Sequence, residues 1–411
     1  MSWTTTRLKH ICTDAGQYGL NVSAQDYSST GFRLIRTSDI DASGRLRPRD
    51  GAVYVDTALE KRHQVREGDL LLSRSGTLGR ALLLTDVEEP STYAGYLVRF
   101  RPRPGTEPRF MAYMAASHGF QAAIEEDAVT STIQNFNAER YANIVVTLPP
   151  FDEQRRTADF LDAETARIDR LVDLRKRQQK LLDEREKTWK GRLFRESKSG
   201  RSTRVKYLLR ARPRYGVLVP ELVDDGIPFI RVNDLSGLSR KEGLASIPRE
   251  LSARYSRTVT MIDDVLLCVV GGTIGKTAIV NEELVGANTA RAVAILRLHR
   301  DHSSSLFESW IGTAEFEEQA RLATGADSAQ PTLGMEDLSN FSLRWPADKC
   351  EQKAMSIAAQ EHAADVAATA LALTRQLALL AERRQALITS AVTGQFDVTT
   401  AGRAATSGGI V

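Results

Sequence analysis

Two kinds of hydrophobic pattern alternate along the chain. The first is a set of short apolar runs broken by Gly, Pro, Asp and Ser. Ala52-Val-Tyr-Val55, Ala81-Leu-Leu-Leu84 and Leu97-Val-Arg-Phe100 are examples in the first half. Val265-Leu-Leu-Cys-Val-Val270 and Ala292-Val-Ala-Ile-Leu296 are examples in the second. Runs of this length between turn residues predict strands. Helical patches follow at 110–126 and 306–323. After Pro149-Pro150, and again after Pro346, the period lengthens into a long helix. In the second such stretch Val366, Leu373, Leu380 and Leu387 fall seven apart, with Ala370, Leu377, Arg384 and Ala391 four residues after each. This is an a/d seam over about four heptads. In the first stretch the matching positions are Ile168, Val172, Arg175, Gln179, Leu182, Glu186 and Trp189, a seam interrupted by polar residues. At about 1.5 Å of rise per residue such helices span roughly 57 Å, long enough to hold two modules apart.

The same motifs return in the same order. Phe32-Arg-Leu-Ile-Arg36-Thr-Ser-Asp39-Ile40 reappears as Ile227-Pro-Phe-Ile-Arg231-Val-Asn233-Asp234-Leu235, and Gly68-Asp69-Leu-Leu-Leu72 as Asp263-Asp264-Val-Leu-Leu267. Gly76-Thr77-Leu-Gly79-Arg80 returns as Gly272-Thr273-Ile-Gly275-Lys276, Gln134 as Gln330, Leu148-Pro149 as Trp345-Pro346, and Glu153-Gln-Arg155 as Glu351-Gln-Lys353. Six matches in register describe a tandem duplication with a unit of about two hundred residues.

Charge is distributed unevenly. The formal net charge is only +3, yet residues 167–214 hold 18 Lys/Arg against 6 Asp/Glu, leaving the rest of the chain acidic. Such a concentration suits a polyanion or an acidic partner, and equally a solvated helix face. Cys12, Cys268 and Cys350 are scattered, so neither a disulfide framework nor a zinc ribbon is expected. His299 and His302 stand alone as a close histidine pair, and no metal is expected there. No apolar stretch of signal-peptide length opens the chain, and the longest uninterrupted apolar run, 265–270, is far short of a membrane span. A cytoplasmic protein without a membrane segment is expected.

This layout resembles the specificity subunits of type I restriction-modification systems. The residues that carry the resemblance are Ile227 to Leu235, Gly68-Asp-Leu-Leu-Leu-Ser73-Arg74-Ser75-Gly-Thr77-Leu-Gly79, and Gly271-Gly-Thr-Ile-Gly275. Leu148-Pro-Pro-Phe-Asp-Glu-Gln-Arg155 resembles the entry to that family's first spacer helix, and Glu382 to Gly394 the end of its second. The pattern departs at Ala347-Asp-Lys-Cys350 and at 187–194. The resemblance implies an α/β (α+β) architecture: target-recognition domains at 1–150 and 196–346, conserved spacer helices at 151–195 and 347–397, and a tail at 398–411. The helices would form an antiparallel coiled-coil pair, with the modules related by a pseudo-twofold axis. It further implies a non-catalytic subunit that reads a bipartite site in double-stranded DNA. Two methyltransferase subunits and restriction/translocase subunits would be its partners, and S-adenosylmethionine, ATP and Mg would belong to those partners only.

Catalytic readings of the residues fail on their own chemistry. Gly275-Lys-Thr277 imitates the end of a P-loop, but Val270 stands where the loop needs its first glycine. Leu148-Pro-Pro-Phe151 imitates a methyltransferase motif, but Leu148 cannot accept a hydrogen bond from a target amine. Glu351-Gln-Lys353 resembles half of a nuclease metal site, yet its duplicate lacks the lysine and both begin helices, where a glutamate suits the dipole. For DNA reading, Arg and Lys suit guanine and Asn and Gln suit adenine. Candidates of this chemistry are Arg36, Ser73, Arg74, Ser75, Thr77, Arg80, Thr130, Gln134 and Asn135 in the first module. The second offers Arg231, Asn233, Thr273, Lys276 and Gln330. For any one of them a turn or a strand-end salt bridge is the simpler account. A structural adaptor bridging protein partners is the alternative reading of the whole.

Overall fold

The computed structural model describes residues 3–41, 43–49, 51–129, 135–325, 331–396 and 398. The chain divides into two compact units, Met1–Arg175 with Arg375–Val411, and Lys176–Thr374. Neither boundary falls between a module and its helix. The helices run Phe151–Arg195 and Lys349–Val392, and each contributes one half to each unit.

In the first unit an antiparallel sheet has the strand order Gln17–Tyr18, Leu97–Phe100, Leu70–Ser73, Ala81–Leu83. A three-stranded sheet places Phe32–Ile35 between Val53–Val55, antiparallel, and Ser91–Tyr93, parallel. Thr4–Arg7 pairs with Val145–Leu148. Helices Pro108–Ala115 and His118–Val129 cover one face. The core joins Leu70, Leu72, Phe100, Phe110, Phe136 and Tyr141 to Ala158 and Leu161 of the first long helix and to Ile388, Ala391 and Val392 of the second.

The second unit repeats this plan strand for strand. Its four-stranded sheet has the order Arg214–Tyr215, Val293–Leu296, Val265–Cys268, Thr277–Ile279. Ile227–Ile230 lies between Ala245–Ile247 and Asn288–Thr289, again one antiparallel and one parallel partner. Gly200–Arg204 pairs with Ser342–Pro346. Its core gathers Val265, Leu267, Phe307, Trp310, Phe316 and Trp345 with Phe194 and Met355 from the long helices.

Each helical patch of the sequence is two helices rather than one. The breaks fall where a side chain recaps the chain: Thr313 Oγ1 accepts from the Phe316 amide at 3.2 Å, and Ser117 occupies the same place in the first unit. The long helices begin at duplicated glutamines, Gln154 and Gln352. Both are almost fully buried, and their amides donate to the carbonyls of Pro149 at 2.8 Å and Pro346 at 3.0 Å.

Along the long helices burial recurs in heptads. Ile168, Val172 and Leu182 are less exposed than the residues flanking them, as are Val366, Leu373, Leu377 and Leu380, with Ile168 and Leu373 the most buried; Trp189 and Leu387 are half-buried, and beside Leu387 it is Ile388 that is fully buried. Within the first unit Asp169 pairs with Arg384 at 3.3 Å and Phe160 meets Phe396, so the two segments there run antiparallel. Within the second, Gln179 bonds Thr374 and Trp189 stacks on His362 at 3.9 Å, the same sense. By length and composition alone Lys349–Val392 would also suffice to cross a membrane, with a mean hydropathy of 1.3 over its most apolar stretch. A search for uninterrupted apolar runs overlooks it, because Asp365 and Arg375 interrupt the stretch.

Candidate nucleic-acid interface

In each unit a glycine-bounded turn follows an inner strand of the four-stranded sheet. In the first unit the strand Leu70–Ser73 is fully buried. Its last hydroxyl, that of Ser73, donates to the Thr77 carbonyl and accepts from the Arg80 amide at 3.0 Å, which closes the turn. Buried Tyr141 pins it from below, donating to the Ser73 carbonyl at 2.7 Å and accepting from the Gly79 amide at 3.0 Å. Burial also pushes this phenol well above its usual range. The second unit closes its turn differently. Thr273 Oγ1 donates to the Val270 carbonyl at 2.7 Å and lies 2.9 Å from Cys268 Sγ.

The candidate side chains separate by what already holds them. Arg36 forks onto Asp39 with bonds of 3.1 and 2.8 Å and donates to the Gly51 carbonyl, and its duplicate Arg231 forks onto Asp234. Those guanidinium groups cap the turn after a strand. Arg80 donates to the Ile40 carbonyl at 2.9 Å. Arg74 is held in another way: its guanidinium lies over the ring of Tyr18, 4.7 Å from the centroid, and its Nε donates to Asn135 Oδ1 at 3.1 Å. Ser75 bridges Asn135 along the backbone, so Arg74, Ser75 and Asn135 form one cluster at the rim. Lys276 and Asn233 are both exposed. Thr130, Gln134 and Gln330 lie outside the described residues.

Two features of this rim escaped sequence reasoning. Tyr18 and its duplicate Tyr215 anchor the edge strand: the Tyr18 hydroxyl accepts from the Ala138 amide at 2.9 Å, and that of Tyr215 donates to the Leu333 carbonyl at 3.0 Å. Each precedes a glycine, Gly19 or Gly216, where a Cβ would overlap the carbonyl of Tyr93 or Thr289. The Tyr-Gly repeat was the available signal. The other feature is a duplicated buried ion pair, Asp69 with Arg101 at 2.6 and 2.7 Å and Asp264 with Arg297 at 2.7 and 2.6 Å. Among the described residues no group of three or more His, Cys, Asp or Glu is placed to hold a metal.

Residues 2–181 match the family model described as the type I restriction modification DNA specificity domain. The type I restriction enzyme EcoBI specificity subunit of Escherichia coli is 23% identical over 385 residues, 84% of this chain and 76% of that protein. Residues 2–181 thus carry a type I restriction-modification DNA specificity domain. A solved structure, described as the structural basis underlying complex assembly and conformational transition of the type I R-M system, shares the fold with a TM-score of 0.70. It is 18% identical, and the match covers 95% of this chain and 97% of that one. The family model stops within the first long helix, and the internal duplication carries the specificity-domain plan onward, with every sheet order repeated in the second unit.

Proposed function

We propose that the chain reads a bipartite site in double-stranded DNA, one half-site per module, and acts as the recognition component of a type I restriction-modification complex. The observation that carries this reading is the duplication of a complete specificity-domain plan, with a polar rim turn on each copy. Phosphate contacts supply most of the affinity in such recognition and base-edge contacts the specificity. The basic run between 167 and 214 has the composition for the first, and the rim clusters have it for the second.

Catalysis falls to partners: methyltransferase subunits, two per specificity subunit, would bring S-adenosylmethionine, and restriction/translocase subunits would bring ATP and Mg. The long helices offer them apolar anchors. Leu171, Leu174 and Leu379 are exposed in the first unit, and Leu181 and Leu371 in the second. Leucines spaced along a helix and left in water mark a protein-binding stripe. The charged residues that interrupt Lys349–Val392 suit a helical partner better than a lipid bilayer, and such a complex would work in the cytoplasm beside the chromosome.

The test is binding of the full chain to duplex DNA across a salt series. A steep fall of log affinity with log salt is expected, because each neutralised phosphate releases counterions. No salt dependence, with binding to proteins alone, would replace this reading with that of a structural adaptor. Methylation should appear only when modification subunits are added, and turnover by the pure chain would refute the division of labour.

A further inference from the structure

We propose that Arg74 and Arg291 are the guanine-reading residues of the two modules, one for each half-site. This rests on the reading of the chain as a DNA-recognition subunit and assigns the residues that set its specificity.

The duplicated hydrogen bonds align the two rims residue by residue. The Arg74 amide donates to the Tyr96 carbonyl at 2.9 Å, as the Val269 amide does to Ala292 at 2.9 Å. The Arg74 carbonyl accepts from Phe136 at 2.9 Å, and that of Val269 from Leu333 at 2.8 Å. Arg74 therefore corresponds to Val269, which is completely buried. By the same logic Gly95, donating to Leu20 at 2.7 Å, corresponds to Arg291, donating to Val217 at 2.9 Å. Each rim thus carries one arginine at this spot, but from opposite sides of it. In the first module it comes from the end of the central strand. In the second it comes from the segment leading into the neighbouring strand.

The exchange is reciprocal in its sterics. In the first module a side chain at position 95 would collide with Asn21 Oδ1, and the Gly95 carbonyl accepts from Arg74 Nη1 at 3.5 Å. The glycine leaves room for Asn21, and its carbonyl supports the arginine. In the second module the valine sinks into the core, and Arg291 is exposed.

Both side chains have the state a base reader needs. Arg74 lies flat on Tyr18 and is fixed through Nε, and its Nη2 makes no hydrogen bond within the described residues, so its outer edge is free for a ligand. Arg291 has no carboxylate partner among the described residues, unlike Arg36, Arg101, Arg231 and Arg297, each of which is ion-paired. A guanidinium fork matches guanine O6 and N7 with two parallel bonds held in one plane, whereas a lysine ammonium reaches the same acceptors only from a flexible stem and without that pre-organisation. Tyr96, two-thirds exposed beside Arg74, offers an aromatic face to a neighbouring base or sugar.

The experiment selects from a randomised duplex library with the full chain assembled with modification subunits. Wild type is compared with Arg74→Gln, Arg74→Lys, Arg291→Gln and Arg291→Lys, and melting of each variant is recorded. Wild type should enrich a bipartite sequence with a guanine in each half. Arg74→Gln should erase a preference of about 5- to 150-fold at one position of one half-site only, and Arg291→Gln the same in the other half. The lysine variants keep the charge but lose the planar fork, and should retain the guanine preference only in weakened form at the same position. Enriched sequences unchanged in every variant, with affinity lowered uniformly, would make both residues phosphate contacts and overturn the proposal while leaving DNA recognition intact. Failure of the wild type to enrich any sequence would overturn the underlying reading instead. Arg291 lies at the surface, so its arm stays informative even if Arg74→Gln unfolds.

Discussion

Asp69 and Asp264 are carboxylates with about 1% of their surface exposed, and each accepts from an arginine fork and a backbone amide. A buried ion pair adds little net stability over a well-packed apolar pair, but removing one partner strands the other in a poorly solvated place. Asp69→Ala should therefore lower stability by about 3–5 kcal/mol, measurable by urea unfolding, and Asp264→Ala should do the same in the second unit. A loss below about 1 kcal/mol would mean that Arg101 swings to water at no cost. Glu351 makes a different clamp. It accepts from the amides of Lys198 and Ser199 at 2.6 and 2.9 Å and from the Ser199 hydroxyl, and these bonds hold its carboxyl down at about 2, against a usual value of 4.5. A depressed folded-state value means the contribution is complete above about 4.5 and disappears as the pH falls toward about 2. Glu351→Gln should flatten the pH dependence of melting in that window, and an identical acid limb in wild type and variant would show that the clamp carries no weight. The sequence revealed that these acids repeat, since Asp69 and Asp264 lie in the aligned motifs. It did not reveal their roles, because Arg101 and Arg297 lie more than thirty positions away.

At the scale of elements, the long helices were legible because heptad spacing is a one-dimensional signal: Leu373, Leu380 and Leu387 recur every seven residues whatever surrounds them. The short strands were legible where an apolar run of three or more residues marks them, as in Val53–Val55, Ala81–Leu83 and Val265–Cys268. Gln17–Tyr18, Arg214–Tyr215 and Asn288–Thr289 are two residues long and carry no periodicity. Leu373 is 8% exposed, so Leu373→Ala should cost about 2–5 kcal/mol if its site stays rigid. Leu373→Glu with Leu380→Glu should leave half-site binding weakly intact and collapse binding to the full bipartite site, because the second module loses its effective concentration. Comparing the two affinities at one fixed salt concentration checks this. Unchanged full-site affinity would show that the seam does not set the spacing.

For the molecule as a whole, duplication made the plan readable from one sequence. Six aligned motifs implied two copies, and the copies agree in strand order as well as in motif. Chemistry at the rims was less readable for the same reason. Aligning the sequence at Gly76 and Gly272 hides the one-residue offset that makes Arg74 equivalent to Val269, and Arg291 stood in no motif at all. Only the paired backbone hydrogen bonds expose the exchange. The difference matters to function, since two half-sites read by differently mounted arginines need not share a sequence.

The division of both long helices between the units has a consequence for the order of synthesis. Every residue of the unit Lys176–Thr374 is contiguous in the chain, whereas the unit begun at the N-terminus needs 375–411 to complete its core through Ile388, Ala391 and Val392. Domains generally fold as units while the ribosome elongates the chain. Here the portion made first must wait, with part of its apolar surface uncovered, until Ile388, Ala391 and Val392 have been made. A chain ended at Thr374 should therefore show a protease-resistant second unit and a readily cleaved first one, and equal resistance of both would refute this order. The wait also makes the last turns of Lys349–Val392 a checkpoint: a chain cut short before Ile388 forfeits the module that was translated first.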